Sequence, residues 1–226
     1  MGKPLARRRG IPPRAPTGAG RDRGGYNASV QDVRLVVSVF AVSLAYAVLR
    51  YNVFAGVDGA QVPVFITNKA ISVASVVMLG ISRVVSDKPR RKHLGLFGVA
   101  LAALHVLLSL MLFHPAYLAK LYRPNGTMTA AAELSMLAGA IATVLLGWKL
   151  YATVMRPLDR QIAGTSLVRG LGRFTLVLVA AHVACIGAAG WLELAKWPGG
   201  LPPITLLSCL IALGFCVMPP LRRAGG

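Results

Sequence analysis

Six apolar stretches of about 20 residues each are the feature that most limits what this chain can fold into. A bilayer core of roughly 30 Å needs about 17 to 25 helical residues to cross it, and each stretch meets that length. Only 14% of the residues are charged, against roughly 25% in a typical soluble domain. We therefore predict an all-α membrane protein with six transmembrane helices, near residues 33–51, 62–84, 94–114, 130–151, 171–191 and 202–219.

The segment before the first span has a different composition. Residues 1–30 are rich in Arg, Pro and Gly and cannot build a hydrophobic core, so we predict a disordered basic tail there. The apolar run that follows starts too late and is too long for an ordinary signal peptide, and an organelle transit segment is an alternative for the tail. The membrane domain is expected over residues 31–223.

The net charge of +18 is divided unequally between the two ends of the predicted bundle. Twenty of the 25 Lys and Arg residues lie at one end of the predicted spans: eight up to Arg34, five from Arg83 to Lys92, five from Lys149 to Arg173, and Arg222 and Arg223. The positive-inside rule then places those segments and both termini in the cytoplasm, most simply of a multi-pass plasma membrane protein. The charge indicates orientation and contact with anionic lipid rather than nucleic acid, because no basic face is interleaved with exposed aromatic residues.

Two histidines lie inside otherwise apolar spans, where an ionisable side chain is costly and usually functional. His105 is 11 residues past Leu94 and His182 is 10 past Gly172, so both rise roughly 15 to 17 Å from the cytoplasmic end. Two histidines from two helices at one depth have the arrangement of axial ligands to a b-type haem. Histidines that hydrogen-bond across helices or line a polar cavity are the alternative, and no further ligand for another metal is evident.

The segments that carry these histidines resemble a known family. RRKHLGLFGVALAALHVLLSLMLFHP (90–115) resembles the haem-binding helix of the STEAP metalloreductases, with a basic pair, Leu-Gly, an apolar stretch and then the ligand His. LGRFTLVLVAAHVACIGAAGW (171–191) resembles the second ligand helix. The other spans agree with the family in VPVFITNKAISVASVVML (62–79), AAELSMLAGAIATVLL (131–146) and LPPITLLSCLIALGFCVMPPLRR (201–223).

This resemblance covers about residues 33–223 and implies a ferric reductase-like transmembrane domain. It implies one haem b between spans three and five, with His105 and His182 as ligands. In the family, electrons pass from cytosolic NADPH through a flavin and the haem to ferric or cupric ions at the outer face. We expect the same reduction of ferric or cupric chelates here. A non-enzymatic haem-binding subunit or scaffold that passes electrons to a partner protein, as in methionine sulfoxide reductase systems, is the alternative.

The electron donor is expected to be a separate cytoplasmic flavin or NAD(P)H protein, because no G-x-G-x-x-G occurs in a βαβ context. Arg90, Arg91 and Lys92 are candidates to hold the phosphates of a bound FAD, and plain topology and lipid contact are the alternative. The family has Gln-Ser before the second ligand helix, whereas this chain has Val168-Arg169, which weakens the case for flavin.

Lys69 is predicted to lie about 10 Å in from the outer end of span two. It is a candidate partner for a haem propionate or for Glu133, and snorkelling to the headgroups is the alternative. A homo-oligomer is compatible with the sequence. Candidate contacts for an outer metal-chelate substrate, with ordinary surface solvation as the alternative, are His114, Lys120, Arg123 and Lys196.

Overall fold

Long helices make up most of the chain in the structure, a computed structural model that describes residues 21–154, 166–219 and 221. The described part of the chain is 82% helical and has no β-strand. Its α-helices are α1 (Arg21–Val48), α2 (Thr67–Val84), α3 (Lys88–Met111), α4 (Ala130–Val154), α5 (Ser166–Trp191) and α6 (Ile204–Val217).

The prediction of six membrane-spanning helices is confirmed in the described ranges. Short π-helical segments at Leu49–Phe54 and Val62–Ile66 extend α1 and precede α2, so the apolar spans are longer than the α-helices alone. The segments that are long and apolar enough to cross a membrane are Val30–Phe54, Gly59–Val84, Lys88–Met111, Ala130–Ala152, Gly170–Trp191 and Pro198–Val217.

The first helix begins before the predicted domain boundary. The sequence places residues 21–30 in the disordered tail, whereas the structure makes them part of α1. The prolines of the tail all precede residue 17, so every backbone N–H in 21–30 is able to take part in helical hydrogen bonding. Residues 1–20 and the basic residues of 155–165 and 222–223 lie outside the described residues.

The outer surface of the bundle is apolar at mid-helix. Val42 and Val144 are both 70% exposed and Leu107 is 60% exposed. In water such a surface would be an aggregation site, whereas in a bilayer it faces lipid. Helices are also the solution that satisfies every backbone polar group within the segment, as the hydrocarbon core requires. The structure is therefore that of a multi-pass integral membrane protein.

The second helix is the centre of the bundle. It packs against α1, α3 and α6, while α5 packs against α4 and α6. Close approach is achieved with small residues, such as Ala70 and Ala74 of α2 and Ala212 of α6, all with no exposed surface. Small residues at helix contacts are the usual means of packing in membranes, where burial of apolar surface gives no net driving force between helices. The central position of α2 is what brings its polar residues to other helices.

The turn between α2 and α3, residues 85–87, lies at what we call the basic end of the bundle, together with the first turns of α3. The Asp87 carboxylate accepts a hydrogen bond from the Arg90 backbone N–H (3.0 Å) and caps α3. The Arg83 guanidinium donates to the carbonyls of Phe215 and Met218, which ties α2 to the end of α6. The opposite end carries the connections at 55–61, 112–129 and 192–203.

Substitution of Gly98 tests the α2–α3 contact. A Cβ at Gly98 would lie 2.8 Å from Leu79 Cγ and 3.0 Å from the Leu79 backbone nitrogen. We expect Gly98→Ala to lower the free energy of unfolding by about 1–3 kcal/mol, because the added methyl overpacks the interface. The measurement is unfolding by sodium dodecyl sulfate in mixed micelles.

Gly147→Ala is the matched control, because no atom lies within 4 Å of the Cβ position at Gly147. It should be neutral or slightly stabilising, since Ala is the better helix former. Equal stability of the two variants would contradict the packing described for α2 and α3.

Candidate functional site

His105 projects from α3 toward α2 and is held there by an amide. Its Nδ1 lies 2.7 Å from Asn68 Oδ1. The Asn68 Nδ2 donates to Ser109 Oγ (3.0 Å), and its Oδ1 faces the ring. A carbonyl oxygen accepts only, so Nδ1 of His105 carries the hydrogen.

His182 of α5 is held in the same way by the backbone of α4. Its Nδ1 lies 2.8 Å from the carbonyl oxygen of Ser135 and 2.9 Å from Ser135 Oγ. The hydroxyl of Ser135 in turn donates to the His182 carbonyl oxygen (2.8 Å), and Ser135 has no exposed surface. The backbone carbonyl again accepts only, so Nδ1 of His182 also carries its hydrogen.

Both imidazoles therefore have the same tautomer. With Nδ1 as the donor, each Nε2 keeps its lone pair. None of the hydrogen bonds among the described residues uses the Nε2 atom of either ring. Histidines that ligate metals usually donate their other ring N–H to a carbonyl or carboxylate, which fixes the tautomer and makes the ligating nitrogen more basic. The hydrogen bonds of His105 and His182 meet that requirement.

Each histidine is held by a helix that neighbours its own, His105 by α2 and His182 by α4. The two histidine helices are not packed tightly on each other, since α3 packs mainly on α2, and α5 on α4 and α6. That the two histidines face each other across one site between α3 and α5 stays a prediction.

Gly139 of α4 makes room for the His182 ring. A Cβ at that position would lie 2.9 Å from Nδ1 and 3.2 Å from Cε1 of the imidazole. Even alanine would therefore displace the ring or its hydrogen bond to Ser135. The glycine is required by the close approach of α4 to the histidine, not by its backbone conformation.

Lys69 follows Asn68 on α2 and lies against aromatic rings. Its Nζ is 4.3 Å from the Phe65 ring centroid and 4.9 Å from that of Tyr51. Such cation–π contacts are favourable when the cation is partly removed from water. The ion pairs found among the described residues do not join Lys69 to Glu133, which is exposed on α4.

The three basic residues at the start of α3 differ in their surroundings. The Arg90 Nε donates to the carboxylate of Asp32 on α1 (2.9 Å). The Arg91 guanidinium donates to the carbonyls of Val85 and Ser86 (2.9 and 3.2 Å). Lys92 is exposed. Two of the three candidate phosphate contacts thus already bind acceptors within the chain.

The candidate outer residues lie at the end opposite the basic end. His114, Lys120 and Arg123 are exposed on the connection between α3 and α4, and His114 Nδ1 accepts the Ala116 backbone N–H (3.2 Å). Lys196 is on the connection between α5 and α6, where its Nζ lies 3.2 Å from Glu193 Oε2. The structure thus groups three of the four on one loop and pairs the fourth with a carboxylate.

Asn68, Ser135 and Gly139 are the site residues that sequence reasoning did not single out. The signal for Asn68 and Ser135 was present, because a polar side chain inside an apolar span must find a hydrogen-bond partner within the protein. Which partner it finds depends on helix packing. Gly139 carries no comparable signal in a chain with 24 glycines.

Comparison with known proteins gives no relative for this chain. Neither a scan against protein-family models nor a search of curated proteins found a match.

The tautomers of the two histidines can be tested directly. In protein prepared free of any metal centre and labelled with ¹⁵N-histidine, we expect two-bond proton–nitrogen correlation spectra to show the hydrogen on Nδ1 of both rings. A metal on Nε2 would by itself force this tautomer, so the metal-free form is required. Asn68→Leu should abolish this preference at His105, because it removes the acceptor. Ser135→Ala should preserve it at His182, because the backbone carbonyl remains. Loss of the preference at His182 in Ser135→Ala, or its retention at His105 in Asn68→Leu, would contradict the assignment.

Proposed function

We propose that this protein is a transmembrane b-type haem electron-transfer protein, with the Nε2 atoms of His105 and His182 as the two iron ligands. The observation that carries the proposal is the pair of Nδ1 hydrogen bonds, to Asn68 and to Ser135, which leave both Nε2 lone pairs available. Imidazoles from two membrane helices, each fixed by an acceptor on a neighbouring helix, form a donor set suited to axial ligation.

Iron in a porphyrin fits this donor set better than a bare metal ion. Among the residues that the structure describes, no three His, Cys, Asp or Glu side chains are grouped so that they could hold a metal ion. A protein metal site normally needs three or four such ligands, whereas haem iron takes four nitrogens from the porphyrin and needs two axial ligands. The haem supplies reversible one-electron chemistry when bound.

The residues around the two histidines have separate tasks. Asn68 and Ser135 hold each ring in orientation and increase the electron density on Nε2. Gly139 gives the His182 ring the space it occupies. Loss of such outer partners typically lowers the affinity for a metal centre by about 10- to 100-fold.

Orientation in the membrane follows from charge. The segments that carry 20 of the 25 Lys and Arg residues include the basic end of the bundle, so we place that end and both termini in the cytoplasm of a plasma membrane protein. Electrons then enter from the basic end. A separate flavin or NAD(P)H protein is the donor that the STEAP resemblance implies. If FAD binds here, Arg91 and Lys92 are the exposed candidates, and the Arg91 guanidinium already donates to two carbonyls.

At the opposite end we propose that a ferric or cupric chelate accepts the electrons. The exposed cations Lys120 and Arg123 give that face a positive field, which attracts anionic chelates such as ferric citrate. His114 is exposed on the same connection. A subunit that passes electrons to a partner protein is the second candidate, and the acceptor experiment below distinguishes the two.

The ligand assignment is tested by reduced-minus-oxidised absorption spectra of the purified protein. We expect a haem b spectrum in the wild type and its loss in His105→Ala and in His182→Ala, because one imidazole cannot replace the pair. His93→Ala and His114→Ala are matched controls and should keep the wild-type spectrum. Retention of that spectrum by either of the first two variants would rule out the corresponding ligand.

The acceptor is tested by reoxidation of the chemically reduced protein with ferric citrate in a stopped-flow experiment at low salt. We expect rapid reoxidation that Lys120→Glu with Arg123→Glu slows by about tenfold or more, since the steering field is reversed. Lys88→Glu with Lys92→Glu is the control, because these exposed residues lie at the opposite end of the bundle and make the same change in net charge. A reduced protein that ferric citrate does not oxidise would favour the partner-subunit function over the reductase.

A further inference from the structure

The connection between α3 and α4 ends in a tight hairpin at the end of the bundle opposite the basic end. Tyr122 and Met128 form an isolated antiparallel bridge, and the Arg123 backbone N–H donates to the Thr127 carbonyl oxygen (2.8 Å). The Gly126 N–H donates back to the Arg123 carbonyl oxygen (2.9 Å) and closes the turn. Gly126 has a φ of +81°, in the left-handed region that favours glycine. One asparagine lies at the tip, directly before this glycine.

That asparagine, Asn125, has its side-chain carbonyl held by two donors. Its Oδ1 accepts the Thr127 backbone N–H (3.1 Å) and the Thr127 hydroxyl (2.7 Å). None of the hydrogen bonds found among the described residues uses Asn125 Nδ2, and residues 125–127 are all exposed. The oxygen of this amide is therefore fixed and polarised, whereas its nitrogen is in contact with water.

The sequence around this amide favours attack on it by the backbone. Of the four asparagines in the chain, Asn125 is the one that glycine follows. Glycine has no Cβ, so nothing hinders its nitrogen from approaching the carbonyl carbon of the preceding side chain. Such an attack places negative charge on Oδ1, and hydrogen-bond donors already directed at that atom stabilise the charge as it develops. Thr127 supplies two donors of this kind.

The closed turn opposes the same step. The Gly126 N–H is bound to the Arg123 carbonyl and must be released before its nitrogen can attack. This is one hydrogen bond at an exposed tip, and such segments open locally at a small cost in free energy. The contacts of Thr127 with Asn125 Oδ1 do not involve Arg123, so they persist when that bond opens. Opening of the turn therefore frees the nitrogen, and Thr127 then stabilises the step that follows.

We propose that this hairpin modifies itself: the Gly126 nitrogen attacks Asn125 Cγ while Thr127 holds Oδ1, and a cyclic imide results. The bond between the Gly126 nitrogen and Cγ forms, the Cγ–Nδ2 bond breaks, and Nδ2 leaves as ammonia with the proton of the Gly126 N–H. Water then adds across either C–N bond of the imide and opens the ring to aspartate or isoaspartate. One water is consumed for each ammonia released, and nothing is oxidised or reduced.

The product carries a carboxylate where the chain had a neutral amide. This carboxylate lies two residues from Arg123 and five from Lys120, the exposed cations that attract an anionic chelate in the proposed function. The consequence for the acceptor rests on that function. We expect a carboxylate at this position to slow reoxidation by ferric citrate about twofold, the effect of one opposing unit charge at roughly 10 Å in water. The positive field of the outer face therefore weakens as the protein ages.

Peptide mass spectrometry of the full-length protein in lipid nanodiscs tests the modification and needs no electron transfer. The protein is incubated at mildly alkaline pH, and the conversion of each asparagine is followed with time. Labelling by an isoaspartyl methyltransferase detects the isoaspartate product. We expect Asn125 to convert while Asn27, Asn52 and Asn68 stay intact. Asn125→Gln is the control that should not react, because its extra methylene requires a less favourable six-membered ring.

Thr127→Val measures what the hydroxyl contributes. The substitution keeps the shape of the side chain and the backbone N–H but removes the donor that lies 2.7 Å from Oδ1. We expect conversion to slow about two- to tenfold, the range for one neutral hydrogen bond, and Thr127→Ser to restore the wild-type rate. A rate in Thr127→Val equal to or above that of the wild type overturns the proposal. So does an Asn125 that stays intact while a synthetic peptide of residues 120–129 converts.

The haem spectrum and reoxidation by ferric citrate, recorded in parallel, separate this inference from the proposed function. An intact Asn125 in a protein with the haem spectrum refutes the self-modification alone. Conversion of Asn125 in a protein that holds no haem, or whose reduced haem ferric citrate does not oxidise, refutes the reductase function and leaves the modification standing. Equal reoxidation rates in Asn125→Asp and Asn125→Gln overturn the effect of the new carboxylate on the outer field.

Discussion

Hydrogen bonding in a medium without water is the constraint on which this structure depends. A polar group inside the bilayer core has no solvent to bind, so it must find its partner in the protein. The backbone meets this demand by forming helices. His105 and His182 meet it by donating to Asn68 and Ser135. In doing so they leave both Nε2 atoms unused by hydrogen bonds among the described residues.

The central position of α2 supplies one of the hydrogen-bond partners that the buried histidines need. This helix packs against α1, α3 and α6, and small residues such as Ala70 and Ala74 let it approach its neighbours closely. Asn68 is buried as a consequence and reaches His105 on α3. On the other side, Gly139 lets α4 approach His182. Each histidine is therefore positioned by a helix other than its own.

The basic residues at the basic end have two effects: together they indicate the orientation of the protein in the membrane, and individually they bind oxygen atoms of the protein. Summed over the sequence, Lys and Arg indicate orientation in a membrane. In the fold, Arg90 and Arg91 also bind specific oxygens, and the pairing of Arg90 with the buried Asp32 joins α3 to α1. Arg90 satisfies one oxygen of the carboxylate, and the other, also buried, makes no hydrogen bond with the described residues. The charge count gives no sign of this asymmetry.

The sequence by itself determined the helical class, the six spans and the depth of the two histidines, because each depends on local composition and on a fixed rise per residue. The sequence also identified Lys120 and Arg123 as candidate outer cations, and they lie on one connection because they are close in sequence. Only the tertiary structure decided the partners of His105 and His182, the need for glycine at residue 139 and the ring contacts of Lys69. Those contacts join residues distant in sequence, and they depend on how the helices are rotated and spaced, which local periodicity does not specify.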